Sequence, residues 1–179
     1  MSFSPTYEVQ IGAALALARA GDIVRAERLT QELSSQHPSD TLLRRVWLPT
    51  INAEIAIQRS NPAQAVELLQ VAAPYELGSY TILMAGPMYP TYLRGEAYLM
   101  LHNREAAAAE FQKFVEHPGV VLNYPLGALA RFQLARSYAL SGNNAKAKAA
   151  YQDFLTLWKD ADPDILILKQ AKAEYAKLQ

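Results

Sequence analysis

Four times along the chain, a stretch with apolar residues at three- and four-residue spacing is broken by a short polar turn and followed by a second such stretch. The first stretches run from Glu8 to Ala20, Leu42 to Arg59, Tyr92 to His102 and Gly127 to Ser141. The breaks are Gly21-Asp22, Ser60-Asn61-Pro62, His102-Asn103 and Ser141-Gly142-Asn143-Asn144. The spacing is that of an α-helix. Gly or Asn suits a left-handed residue that ends one helix, and Asp or Asn suits the cap that opens the next. Aligned on the alanine one turn into each second helix, the copies fall at Ala26, Ala65, Ala107 and Ala147, separated by 39, 42 and 40 residues. A two-helix unit cannot bury its apolar face alone, so a period near forty predicts an all-α stack of antiparallel helix pairs, each covering the next.

Small residues at Ala14, Ala53, Gly95 and Ala135 share one register, and Leu17, Ala56, Tyr98 and Tyr138 follow them three residues later. A small residue lets two helices approach, and a large one further on fills the groove beside it. Gly12 and Gly95 are read as such close-packing positions. After the fourth pair, Asp162-Pro163-Asp164 reads as an N-cap with proline in the first turn of a closing helix. Ile165, Leu168, Ala171, Tyr175 and Leu178 give that helix one apolar stripe, suited to covering the exposed end of the stack. Pro49 lies inside an otherwise helical run, where it lacks the N–H owed to the carbonyl of Arg45 and clashes with it, so a kink or a restarted helix is expected there. Pro90 is expected in a first turn, where it is tolerated.

The third copy, Leu93-Arg94-Gly95-Glu96-Ala97-Tyr98 with Ala107 and Phe111, and the fourth, Leu134-Ala135-Arg136-Ser137-Tyr138 with Gly142, Ala147 and Tyr151, resemble the tetratricopeptide repeat family. Copy one keeps Ala14, Leu17, Gly21, Ala26 and Pro38. Copy two keeps Ala53, Ala65 and Leu69 but has Ala56 where an aromatic is usual and Ser60 where glycine is usual. The resemblance implies a right-handed superhelix of four pairs, over about 7–38, 42–74, 88–117 and 127–158, with a capping helix over 162–179, in one domain of residues 1–179. The family unit has 34 residues, so extra residues are placed in the links at Tyr75 to Met88 and Pro118 to Tyr124. The run from Tyr151 to Asp164, with the Lys-Gln-Ala-Lys-Ala-Glu-Tyr tail, is similar to the C-terminal repeat region of bacterial serine/threonine kinases of the eukaryotic type and of related regulators. No glycine-rich loop, HRD or DFG triplet accompanies it, so the resemblance implies a non-catalytic arm.

Composition narrows the function classes. Lys+Arg and Asp+Glu are 17 each, and this zero net charge removes the long-range field that draws proteins to nucleic acids or anionic membranes. Without cysteine there is no disulfide, thiolate zinc site or cysteine nucleophile. The apolar stretch Ile11 to Ala18 is far shorter than the roughly 20 residues that span a bilayer, and no basic run precedes it as in a secretion signal. A soluble chain is expected, cytoplasmic rather than exported. His37, His102 and His117 each stand at a helix end, where an imidazole meets unpaired carbonyls, and they have no helical pairing that would hold a metal. No cofactor motif is found, and the chain is read as not an enzyme.

The candidate binding residues are those that project from the first helices: Trp47, Thr50, Glu54, Tyr89, Tyr92, Glu96, Phe132 and Arg136. In the family this face lines a groove, so the resemblance implies capture of a peptide segment with apolar anchors and a basic residue facing Glu54 and Glu96. Trp47, Tyr92 and Phe132 are then expected to be partly exposed and the face electronegative. The registers of Ile11 and Leu15, Thr50 and Glu54, and Tyr92 and Glu96 lack the lysine and asparagine with which some family members clamp a peptide carboxylate. The segment Tyr75 to Tyr92, with Tyr80, Met84 and Met88, reads as an adaptable contact surface. The competing reading is a structural or self-associating arm in which the aromatics are core and a salt bridge among Glu54, Glu96 and Arg136 fixes repeat stacking.

Overall fold

A computed structural model describes residues 6–78, 86 and 88–179. Among the described residues every regular element is helical. The helices are α1 (Tyr7–Arg19), α2 (Ile23–Gln36), α3 (Leu48–Gln58), α4 (Pro62–Leu69), α5 (Tyr89–Met100), α6 (Arg104–Glu116), the one-turn α7 (Pro118–Val121), α8 (Pro125–Leu140), α9 (Asn144–Leu157) and α10 (Leu166–Ala176). The pairs α1/α2, α3/α4, α5/α6 and α8/α9 stack in order, with α1 on α3, α4 on α5, α6 on α8 and α10 against α9. This is the expected all-α, tetratricopeptide-like stack of four pairs and a cap.

One turn closes all four pairs. Its left-handed residue is Gly21 (φ 82°), Ser60 (58°), His102 (58°) or Gly142 (77°). The next N–H, of Asp22, Asn61, Asn103 or Asn143, donates back to the carbonyl of Leu17, Ala56, Tyr98 or Tyr138, at 2.8 to 2.9 Å. This six-to-one bond satisfies a carbonyl stranded at the helix end. The Asp or Asn side chain then accepts from the N–H of Arg25, Gln64, Ala106 or Lys146, capping the second helix. Ser60 and His102 hold a conformation that costs a residue with a Cβ about 1–2 kcal/mol. His102 is thus an exposed turn residue, where its imidazole was expected on the helix-end carbonyls.

The irregularity expected at Pro49 takes the form of a π-helical turn over Leu43–Trp47, in which the Leu48 N–H donates to the Leu43 carbonyl. An α-helix then restarts with Pro49 in its first turn, where a missing N–H is harmless. Pro90 sits likewise in the first turn of α5. The cap expected at Asp162 is displaced: the Asp164 N–H donates to Asp162 Oδ1 at 2.9 Å, so the carboxylate is spent on a local turn and α10 begins only at Leu166. The links hold a 3-10 turn over Gln70–Tyr75 and the helical turn α7. Of the segment read as an adaptable surface, Tyr80 and Met84 lie outside the described residues, and Met88 is fully buried in the core.

Burial separates into two main clusters and a seam. The first two pairs enclose Ile11, Leu15, Leu33, Leu43, Val46, Trp47, Ile51 and Ile55. The last two pairs and α10 enclose Tyr92, Phe111, Phe114, Phe132, Tyr151, Phe154 and Leu168. Between them lie Ala53, Ala56, Ala65, Leu69, Leu93 and Ala97, mostly alanine. Gly95 has the close-packing role expected of it: a Cβ there would stand 2.6 Å from Cζ of Phe111, so any larger residue requires that buried ring to shift.

Candidate functional site on the inner face

The first helices α1, α3, α5 and α8 lie side by side, and equivalent registers bring Glu54 and Glu96 to one ridge beside the last residue of α1, Arg19. Arg19 joins them. Its Nη1 donates to Glu96 Oε2 at 2.6 Å and its Nη2 to Glu96 Oε1 at 2.9 Å, a two-pronged, charge-assisted contact. The same Nη1 lies 3.3 and 3.4 Å from the two oxygens of Glu54. Glu54 is fully buried, 0% exposed. It also accepts from the Tyr89 hydroxyl at 3.2 Å and from Gln58 Nε2 at 3.2 Å. Every oxygen of the acidic pair therefore has a donor, as burial of a charge requires.

The electrostatics hold this state. The hydrogen bonds to Glu96 raise the Arg19 pKa, and the charges of Glu96 and Glu54 add to that effect against the opposing cost of burial. Burial, and then the Glu54 charge, push the Tyr89 hydroxyl far above its ordinary value. Arg19 thus stays cationic and Tyr89 stays a neutral donor at physiological pH. The ridge is an ion cluster in which one guanidinium serves two carboxylates, so every acidic oxygen has a donor and one negative charge remains in excess.

The aromatic candidates are also placed differently from expectation. Trp47, Tyr92 and Phe132 are buried. Tyr92 packs edge-on against Phe111 and Phe114 at ring-centroid distances of 5.5 and 6.2 Å, and Phe132 lies 5.5 Å from Phe154. At the registers of Tyr92 and Phe132, packing of the second helix consumes the ring. Thr50 is buried too, its hydroxyl donating to the carbonyl of Val46 at 2.5 Å beside the π-helical turn. Arg136 is partly exposed. Its guanidinium lies 5.2 Å from the centre of the Phe132 ring, and its Nε is 3.2 Å from Glu174 of α10. Glu174 also accepts from the Tyr151 hydroxyl at 2.6 Å. A 320 Å³ cleft opens beside this contact, lined by Arg136, Leu140, Lys177 and Leu178. Of the eight candidates, then, Glu54, Tyr89 and Glu96 form one site with Arg19, Arg136 and Phe132 form part of another, and Trp47, Thr50 and Tyr92 are interior.

A third ion cluster, on the far side of α5, escapes the sequence reading. Arg94 is buried, with Nη1 2.5 Å from Glu76 Oε1 and 3.3 Å from the Leu69 carbonyl, and Nη2 2.6 Å from Glu110. Lys113 joins both carboxylates, at 3.4 and 2.9 Å. Burial alone would lower the Arg94 pKa, yet the bonds it donates to Glu110 and Glu76, and the charges of those carboxylates, outweigh it and leave the group raised. The sequence holds a signal for it: an arginine precedes Gly95 where Leu134 precedes Ala135 in the next copy. Its acidic partners come from a link and from a second helix, and no spacing rule connects them.

Among the described residues no group of three or more His, Asp or Glu side chains is arranged to hold a metal ion, and no helix is long and apolar enough to cross a membrane. Residues 129–161, most of α8 and all of α9, match the family model described as a tetratricopeptide repeat. Neither a curated protein nor a solved structure matches the chain. Repeats of this type generally mediate protein–protein contacts and are not catalytic.

Proposed function

We propose that the chain is a non-catalytic protein-interaction module of the structural kind: a helical arm of a larger signalling protein, its inner face occupied by its own residues. The observation that supports this most directly is Tyr92, which is 5% exposed at the register where a peptide groove needs an accessible anchor. The Glu54–Glu96 pair supports the same reading, because Arg19 already occupies the place that a basic partner residue would take. The likeness of the Tyr151 to Asp164 run to kinase C-terminal repeats supports a regulatory parent. Tyr92→Ala tests the arm. It is expected to cost about 3 kcal/mol or more in urea unfolding, through the cavity left between Phe111 and Phe114, with the set of proteins captured by the folded variant unchanged. A variant as stable as the parent that has lost a partner overturns the reading.

A second reading, capture of a basic peptide on the inner face, is favoured by one observation: the Arg19–Glu54–Glu96 cluster carries one more negative charge than positive, and Glu96 keeps part of its side chain in solvent. Such a site is polar and has no aromatic anchor. Glu96→Gln, which leaves the buried rings untouched, is its discriminating variant, expected to weaken binding of an arginine-bearing peptide without a comparable loss of stability.

A further inference from the structure

Contacts in a stacked-repeat protein run between neighbours, yet the Arg19–Glu96 bond connects the first pair to the third across 77 residues of sequence. It does so on the inner face, passing over Glu54 of the intervening α3. A bond between next-nearest units on the inside of a curved stack fixes the angle between them, as a chord fixes an arc.

The seam that this chord spans has a buried centre of four alanines beside Leu69 and Leu93, with Ile57, Val66, Leu68 and Tyr89 partly buried around it. Two arginines hold it, on opposite faces. Glu96 and Arg94 lie two residues apart on α5, about 200° around the helix. Arg94 is 3% exposed and ties α5 to Glu76 in the link after α4 and to Glu110 of α6. Arg19 is 46% exposed. One tie is sealed from water, and the other lies within reach of salt.

We propose that this pair of ties is a conformational device in which the Arg94 cluster is the hinge and the Arg19–Glu96 pair is a latch that sets the curvature of the first three repeats. With the latch made, α1, α3 and α5 are drawn together along the inner face. With it broken, the first two pairs swing about the alanine seam while the Arg94 cluster keeps the outer side closed. Ionic strength acts on the exposed tie first, because screening at about 1 M shortens the Debye length to roughly 3 Å.

The chain has no cysteine, so two spin labels can be introduced without removing a native thiol. Val24→Cys on α2 and Ala109→Cys on α6, both exposed, report the angle across the seam. Ala109→Cys with Gln152→Cys on α9 is the control within the last two pairs. At low salt, Arg19→Gln is expected to lengthen and broaden the 24–109 distance distribution by a few ångströms and to leave the 109–152 distribution unchanged. High salt is expected to reproduce the change in the parent and to add nothing in Arg19→Gln. Glu96→Gln, which leaves Arg19 with Glu54, is the second variant should Arg19→Gln unfold. Identical 24–109 distributions in the parent and in a folded latch variant, at both salt concentrations, overturn the proposal.

Discussion

The first two repeats bury an aliphatic core around one tryptophan, and the last two are filled by two sets of aromatic rings. In the N-terminal half, Ile11, Leu15, Leu33, Ile51 and Ile55 pack beside Trp47, which reaches its place from a π-helical turn. In the C-terminal half, Tyr92, Phe111 and Phe114 form one set of edge contacts. Phe132, Tyr151, Phe154 and Trp158 form another, with neighbouring centroids 5.0 to 6.1 Å apart. The halves meet at a seam whose buried centre is four alanines beside Leu69 and Leu93, and ion pairs add to the packing there. The backbone design is the same in both halves, so what differs is the chemistry of the filling. Large rings at the repeat positions make each interface self-sufficient, and small residues leave it to be held by packing and ion pairs together.

The largest expected effect tests the aromatic side. Phe111→Ala removes a ring against which the glycine face of α5 is moulded, and is expected to cost about 4 kcal/mol in urea unfolding. A cost under about 1 kcal/mol would mean that the rings do not carry this half. Next comes the seam. Arg94→Ala leaves Glu76 and Glu110 without their buried counter-charge, for a loss of about 3 kcal/mol, whereas replacing Arg94, Glu76 and Glu110 together by leucine loses far less. If the single and triple variants cost the same, packing and not charge holds the joint.

Smaller changes ask whether the turns of the two halves are equivalent. Ser60→Gly in the first half and His102→Gly in the second each relieve a left-handed residue bearing a Cβ, and each is expected to raise stability by about 1 kcal/mol. Unequal gains in thermal melts would show that one turn is strained by its surroundings. The smallest effect concerns the one ionisable cap among the four turns. Arg25, first through its side chain and then through its backbone N–H, holds the Asp22 carboxyl below its ordinary range. Its contribution is therefore present above the ordinary aspartate pKa of about 3.9 and is lost as pH falls through the depressed value in the folded chain. The parent should melt slightly above Asp22→Asn at neutral pH, and the difference should close under acid. A difference that persists at low pH would separate the cap from its charge.

How much of this was legible follows the same division. The helix pairs, the four turns, the irregularity before Pro49 and the closing helix all come from local chemistry: spacing, an Asp or Asn after a left-handed residue, a proline without its N–H. Copies three and four were the plainest because Phe111 and Tyr151 stand where the repeat pattern needs a large ring, and the family match falls on the fourth. The inner face was half legible. Register placed Glu54 and Glu96 together, but the long side chain of Arg19 comes from a helix end outside that register. Trp47, Tyr92 and Phe132 had the right spacing for a groove and equally for a core. Sequence alone could not choose between the two, because the choice depends on how closely the second helices approach, which Gly95 sets for one pair and nothing nearby in sequence announces for the others.

The four turns have a consequence for the order in which the chain organises itself. Each closes on carbonyls and N–H groups no more than five residues away, and each helix pair is complete within a few dozen residues. Contacts this local form early and cheaply, since little chain must be looped to make them. A chain built this way has four independent starting points. The contacts that join distant pairs, the bond from Arg19 to Glu96 above all, belong to the last step, after both of its partners have already been set in place.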